Sequence, residues 1–229
     1  MQCVIICAGK GTRMRPLTDV FPKPLIPVCG KPILQHIIEA LPEVIDELIL
    51  VVGYKKEQIT AFCGVTFLGK KVQYVVQDDF AGGTGAALML ARDVVHGKFL
   101  FMYGDDIHGE DALAKVVQED HAMLGMYSET PERFGVLEQN KNGTLSQIVE
   151  KPEHPTSNLV NIGGFVVNDS IFSYAVPVSL SGELYVTDML NAYAKDNAVK
   201  IIEQTVWLPI GYPEHIAQAE AVLCPIVID

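Results

Sequence analysis

Three small groups of residues could carry the chemistry of this chain. Ala8-Gly9-Lys10-Gly11-Thr12-Arg13 closes a short apolar run, Val4 to Cys7, that reads as a buried strand. Glycine lets backbone N–H groups approach phosphate oxygens with no Cβ in the way, and arginine adds forked donors that match them. The turn is therefore anion-binding in character. Lys23 stands between Pro22 and Pro24, whose fixed φ holds the main chain still while the ammonium swings. Asp105 follows Gly104 at the end of a predicted strand, Lys98 to Tyr103, and a carboxylate there, facing Lys10 and Arg13, is where a hard cation would be held. Its neighbour Asp106 points the other way along an extended chain and need not share the task.

Charge distribution agrees with this reading. Residues 1–31 hold Lys10, Arg13, Arg15, Lys23 and Lys31 against Asp19 alone, so the segment is +4 while the remainder is −15, in a chain whose total is −11. One cationic mouth on an acidic molecule suits a highly phosphorylated small molecule, not nucleic acid. Two other phosphate loops are excluded by spacing. Gly64 to Lys71, G-V-T-F-L-G-K-K, nearly fits a Walker A loop but ends in lysine where a metal-binding hydroxyl should stand. A dinucleotide fingerprint fails because Met14 replaces the third glycine and no ribose-binding acid follows the second strand, which disfavours a nicotinamide oxidoreductase.

The ordered pair A-G-K-G-T-R-M-R-P-L-T (Ala8 to Thr18) and P-K-P-L-I-P-V (Pro22 to Val28) resembles the signature of the sugar-1-phosphate nucleotidyltransferases, or nucleotide-sugar pyrophosphorylases, of the glucose-1-phosphate thymidylyltransferase and GlcNAc-1-phosphate uridylyltransferase kind. The likeness recurs in pieces to about residue 216. It implies a catalytic set of Lys10, Arg13 and Lys23, and a nucleotide-binding set of Ala8, Gly9, Gly11, Thr12, Gln77, Gly82, Gly83 and Thr84. Gln77 suits a uracil or thymine edge because one amide both donates and accepts. Thr84 could equally cap a helix. The resemblance further implies a sugar-phosphate set of Gly135, Glu150, Lys151, Asn161, Gly163 and Glu183, and a Mg²⁺ ligand at Asp105. It breaks once: in W-L-P-I-G-Y-P-E (Trp207 to Glu214), Pro209 stands where the family has a second metal-binding aspartate. Water, or an acid such as Asp106, would have to complete the shell, or turnover would be weakened.

The elements that must position these residues alternate. Strands are expected at Glu47 to Tyr54 and Val72 to Val76, and helices over Lys31 to Leu41, Lys55 to Phe62 and Thr84 to Arg92. Strand-helix alternation points to an α/β fold, a mostly parallel sheet with helices on both faces and ligands at the carboxyl ends of the strands. The resemblance implies a three-layer, Rossmann-like, mostly parallel but mixed sheet flanked by helices, of the nucleotide-diphospho-sugar transferase type. Beyond residue 110 a helix over Asp111 to Asp120 precedes shorter strands at Ala122 to Tyr127, Gly135 to Gln139, Thr144 to Val149 and Ile162 to Val167. Helices over Met189 to Lys195, with Asp188 as a candidate cap, and Glu214 to Leu223 complete the set. We expect one catalytic domain over 1–229, with a nucleotide-binding half (1–110), a sugar-phosphate half (111–229) and no β-helix extension.

With 49% hydrophobic and 20% charged residues, no membrane-span window and no secretory leader pattern, the chain reads as cytoplasmic and free of membrane or nucleic-acid partners. Five cysteines without C-x-x-C pairs read as reduced core thiols. The expected activity joins a sugar 1-phosphate to a nucleoside triphosphate, UTP or dTTP by preference, and releases pyrophosphate. Alternatives are a nucleotide-binding homologue with lost turnover, or a cytidylyl- or guanylyltransferase with another phosphate acceptor. The sugar, and whether the chain forms a homo-oligomer, are not legible.

Overall fold

A computed structural model describes residues 1–78, 82–174, 176, 179 and 182–225. Ala81, and the end of the apolar tail that runs to Ile228, lie outside the described residues. Along the chain the strands are β1 (Gln2–Cys7), β2 (Pro27–Val28), β3 (Lys31–Pro32), β4 (Glu47–Val52), β5 (Thr66–Phe67), β6 (Lys70–Val76) and β7 (Lys98–Tyr103). They continue as β8 (Asp106–His108), β9 (Ala122–Tyr127), β10 (Gly135–Gln139), β11 (Leu145–Glu150), β12 (Leu159–Asn168), β13 (Lys200–Glu203) and β14 (Trp207–Pro209). The helices are α1 (Leu17–Val20), α2 (Ile33–Glu39), α3 (Lys56–Cys63), α4 (Gly83–Leu90), α5 (Glu110–Val116), α6 (Val186–Tyr193) and α7 (Glu214–Leu223).

The main sheet runs β11-β10-β12-β7-β1-β4-β6-β5, with β9 beside β12 and β13 beside β9. β1 lies between β4 and β7 and is parallel to both, with Cys7 opposite Val52 and Ile6 opposite Tyr103. β4 and β6 are parallel as well, so the carboxyl ends of four strands reach one rim of the sheet. β12 turns antiparallel against β7, which makes the sheet mixed and carries the second half of the chain onto the first.

Alternation along β1 explains the layers. Cys3, Ile5 and Cys7 face a core built with Ile33, Leu34, Ile37 and Ile38 of α2 and Leu113 and Val116 of α5. Val4 faces the other core, with Leu88 of α4 and Met189, Leu190 and Tyr193 of α6. Successive strand side chains point to opposite faces, so apolar residues on both sides require helices on both sides. Each fully buried Ile or Leu is worth about 1.5–3 kcal/mol, so these two layers hold the rim loops in place.

Some expectations are corrected. The helix expected over Lys31 to Leu41 starts later: Lys31–Pro32 pairs with Pro27–Val28, and α2 begins at Ile33 with Pro32 before it. Asp188 does not cap α6, because the helix begins at Val186 with Tyr185 before it. Thr84 does not cap its own helix α4: its Oγ1 accepts a hydrogen bond at 3.2 Å from Val186 N, a first-turn donor that α6 itself leaves unpaired, and ties α4 to α6. The five cysteines are not all thiols. Cys29 and Cys224 form a disulfide across 195 residues of sequence, while Cys3, Cys7 and Cys63 are free and buried. That pairing depends on α7 docking against the β2–β3 hairpin, which no local spacing announces. Among the described residues no helix is long and apolar enough to cross a membrane.

Candidate active site

The phosphate-type turn leaves β1 at the rim. Gly11 sits at φ +60°, the left-handed region, and a Cβ there would lie 2.9 Å from Thr18 Cγ2 and 3.1 Å from Lys23 Cβ. Glycine thus permits both the turn and the close approach of the Lys23 segment. Met14 N donates to Gly11 O at 2.9 Å and Thr18 Oγ1 donates to the same carbonyl at 3.0 Å, so the turn is closed from two sides. Arg13 projects from the short 3₁₀ turn Thr12–Met14. Lys23 is buried and donates to Asp105 Oδ2. The expected basic group and the expected metal carboxylate therefore meet. Arg15 instead pairs with Asp19 at 3.3 Å on the surface and stays out of the cleft.

Three hollows run end to end along this rim. The innermost, about 250 Å³, is lined by Lys10, Gln77, Gly83, Thr84 and Gly9. The middle one, about 240 Å³, adds Gly11, Arg13, Lys23, Tyr103 and Asp105. The outer one, about 760 Å³, shares Arg13, Tyr103 and Asp105 and brings in Glu150, Lys151, Asn161, Gly163 and Gly135. Residues far apart in sequence, from Gly9 to Gly163, thus line three hollows joined by shared residues.

The outer wall depends on a bend in β12. Its register slips between Asn161 and Phe165, and Gly163 sits at φ +75° where a Cβ would be 2.5 Å from Tyr103 Cδ2 and 3.1 Å from Asp106 Oδ2. Only glycine lets the Tyr103 ring close the floor here. Lys151 follows Glu150 at the end of β11 with φ +43°, and its N donates to Phe134 O at 3.0 Å. A non-glycine residue held in that region next to a cleft is a strained placement tied to side-chain aim. Its ammonium is 3.7 Å from Glu150 Oε1, a solvent-screened pair that a phosphate would readily outcompete.

Not every expected residue lines the cleft. Ala8, Thr12 and Gly82 support it from the adjacent backbone, and Glu183 lies against the Gly83 turn, where the Tyr185 hydroxyl donates to its Oε2 at 2.5 Å. The loop carrying Glu183 is stitched to that turn through Leu184 N to Gly82 O at 2.9 Å and Gly85 N to Leu184 O at 2.7 Å. Conversely, Tyr103, Arg133, Trp207, Tyr212 and His215 line the outer hollow without having been singled out for the site. Tyr103 could have been noticed from its place just before Gly104-Asp105, and Tyr212 from the tryptophan-to-glutamate motif.

Asp106 is the acid the sequence left open. It starts β8, lines the outer hollow with Asp105, and sits directly opposite Pro209 on the antiparallel β8–β14 ribbon. Withdrawal from water and the nearby Asp105 push its carboxyl well above the usual carboxylate range, with Lys23 and the Trp207 indole acting against that. Burial likewise raises the Tyr103 phenol, so it stays protonated. Among the described residues no group of three or more His, Cys, Asp or Glu gathers. Two adjacent acids beside the glycine turn fit Mg²⁺, which takes few protein ligands and fills its shell with other oxygens and water, provided that the cation displaces the proton that burial and Asp105 hold on Asp106.

Comparison with known proteins follows the same lines. Residues 2–224 match the model of the nucleotidyl transferase family. The bifunctional protein GlmU of Methanocaldococcus jannaschii is 38% identical over 227 residues, covering 97% of this chain and 54% of that protein. UTP–glucose-1-phosphate uridylyltransferase AglF of Haloferax volcanii is 34% identical over 232 residues, with 96% and 95% covered. In the solved structure of a candidate glucose-1-phosphate thymidylyltransferase of Bacillus anthracis, in complex with sucrose, the fold superposes with a TM-score of 0.87 at 29% identity, covering 100% of this chain and 96% of that one. The chain spans about half the length of the GlmU relatives it matches, at 54% for the M. jannaschii protein.

Proposed function

Because this chain belongs to the nucleotidyl transferase family, we propose that it joins a sugar 1-phosphate to a nucleoside triphosphate and releases pyrophosphate. The observation that carries this reading is the sharing of Arg13, Tyr103 and Asp105 by the middle and outer hollows, which sets a phosphate-gripping turn against a polyol-sized chamber.

In this reading Gln77, Gly83 and Thr84 take the base, with Ala8, Thr12 and Gly82 shaping the backbone around it. The amides near Gly9 and Gly11, with Lys10 and Arg13, hold the triphosphate. Lys23 neutralises the α-phosphate, and Lys151 orients the acceptor phosphate. Glu150, Asn161 and the bare backbone at Gly135 and Gly163 receive the sugar hydroxyls. We assign Glu183 to support of the Gly83 turn and not to the sugar. A phosphate oxygen of the acceptor attacks the α-phosphorus in line, the bond to the β-phosphate oxygen breaks, and both electrons leave with pyrophosphate. No general base is needed, since a phosphate monoester is ionised near neutral pH. Positioning and charge neutralisation supply the rate.

Asp105 and Asp106 are the residues that would hold Mg²⁺, whose chemistry is neutralisation of phosphate charge. We assign UTP or dTTP as the donor on the strength of Gln77, and the two halves 1–110 and 111–229 to nucleotide and acceptor. We place the enzyme in the cytoplasm, where nucleoside triphosphates are made. Pyrophosphate release, measured with Mg²⁺ across a panel of triphosphates and sugar 1-phosphates, tests the reading. Release with a uridine or thymidine triphosphate supports it. Binding of triphosphate without release by any pair would instead make the chain a nucleotide-binding homologue, the outcome Pro209 would explain.

A further inference from the structure

We propose that Tyr212 is the positioning residue for Arg13, holding its guanidinium at the junction of the phosphate and acceptor hollows. The proposal rests on the function above for what Arg13 does, but not for where Arg13 sits.

Arg13 needs such a partner. It is exposed, it projects from a three-residue turn, and the left-handed Gly11 precedes it. Left to itself a side chain with so many rotamers would spend little time aimed at a phosphate. In the structure the guanidinium carbon lies 5.0 Å from the centroid of the Tyr212 ring, and Nη1 donates to the Tyr212 hydroxyl at 3.4 Å. A bond of 3.4 Å is at the weak end of the range, so the ring face supplies most of the hold. The hydrogen bond and positive charge of Arg13 hold the Tyr212 phenol pKa below the ordinary tyrosine value.

Tyr212 is anchored where Arg13 is not. Two residues earlier, Ile210 N donates to Asp105 O at 2.9 Å, which fixes the segment to the strand end that carries the acids. The His215 ring packs edge-on against Tyr212 with centroids 5.5 Å apart, and His215 Nδ1 lies 2.7 Å from Pro209 O. α7 then begins at Glu214, and its far end is tied to the β2–β3 hairpin by Cys29–Cys224. A ring on a segment tied at several points is thus presented to an exposed cation, and preorganisation of that cation lowers the cost of reaching the transition state. The two residues are 199 apart in sequence, so this coupling exists only in the folded chain.

The full chain, labelled on arginine, tests the placement by NMR of the side-chain Nε–H groups, with Arg13 identified through Arg13→Lys. We expect a ring-current shift of the Arg13 signal that Tyr212→Phe keeps and Tyr212→Leu abolishes. Pyrophosphate-release kinetics test the consequence: Tyr212→Leu should lower kcat about tenfold with KM changed by less than about twofold, Tyr212→Phe should stay within about threefold, and Tyr212→Leu should cost nothing further in an Arg13→Ala background. An Arg13 signal indifferent to Tyr212→Leu overturns the proposal, as does an equal loss of kcat in the Arg13→Ala background. If wild type releases no pyrophosphate from any pair, the functional reading fails alone and the NMR result decides the placement.

Discussion

Asp106 and Pro209 face each other across the β8–β14 ribbon. A proline ring offers no metal-binding atom, so on this ribbon the acid that lines the outer hollow with Asp105 is Asp106, on the opposite strand. Asp106→Asn is expected to weaken Mn²⁺ binding, read by electron paramagnetic resonance with UTP present, by about tenfold or more. Pro209→Asp in that background should restore much of the affinity. Unchanged binding in Asp106→Asn would show that Asp105 and substrate oxygens suffice.

Arg13→Ala should lower kcat for pyrophosphate release by roughly 10²-fold, the usual loss when a preorganised charge on the leaving group is removed. A full-rate enzyme would remove Arg13 from the catalytic set and leave Lys10 and the loop amides to hold the triphosphate.

Gln77 is buried, its N donates to Val52 O at 2.8 Å, and its side chain lines the innermost hollow. A bidentate amide-to-base contact discriminates by about 1–3 kcal/mol. Gln77→Ala should therefore lower kcat/KM for UTP and dTTP by roughly tenfold or more while leaving CTP less affected. Equal losses for all triphosphates would mean that Gln77 shapes the hollow and does not read the base.

His108 is buried, its Nδ1 lies 2.7 Å from Gln204 Nε2, and burial holds its pKa down to about 3. The folded value lies below the unfolded one, so the stabilisation from keeping this ring neutral is present above pH 6.5 and is lost as pH falls from there toward 3. Between those limits the unfolded state binds one more proton, a slope of about 1.4 kcal/mol per pH unit. Urea unfolding of wild type and His108→Gln at pH 7.5, 5.5 and 4.5 should show the wild type losing stability faster by that amount. Parallel curves would mean that His108 takes up a proton in the fold.

The Cys29–Cys224 disulfide predicts that unfolded, unreduced protein exposes three reactive thiols out of five cysteines. Reduction should lower stability on the order of 2–5 kcal/mol, because a long loop is released in the unfolded chain. Five thiols in protein taken from a reducing compartment would show that the bond does not form there, where disulfides are rare.

Much of this molecule was already readable from residue order. Glycine-rich turns, strand-length apolar runs and helical spacing are local properties, and they placed the glycine-rich turn after β1, the acid after β7 and the strands Ala122–Tyr127 and Gly135–Gln139 where the structure has them. The resemblance to the sugar-1-phosphate nucleotidyltransferases, carried by the ordered motifs, named the residues that line the cleft, apart from Ala8, Thr12, Gly82 and Glu183.

Other features required the fold, because they join positions far apart in the chain. β8 and β14 are three residues each, too short to show a period, and each exists only because the other pairs with it. That pairing set Asp106 opposite Pro209, and the same return of the chain laid Tyr212 over Arg13 and brought Cys224 to Cys29. Composition and spacing determined which groups could hold phosphate. Which of them lie close enough to act together was decided by long-range packing, whose contacts leave no local pattern in the sequence.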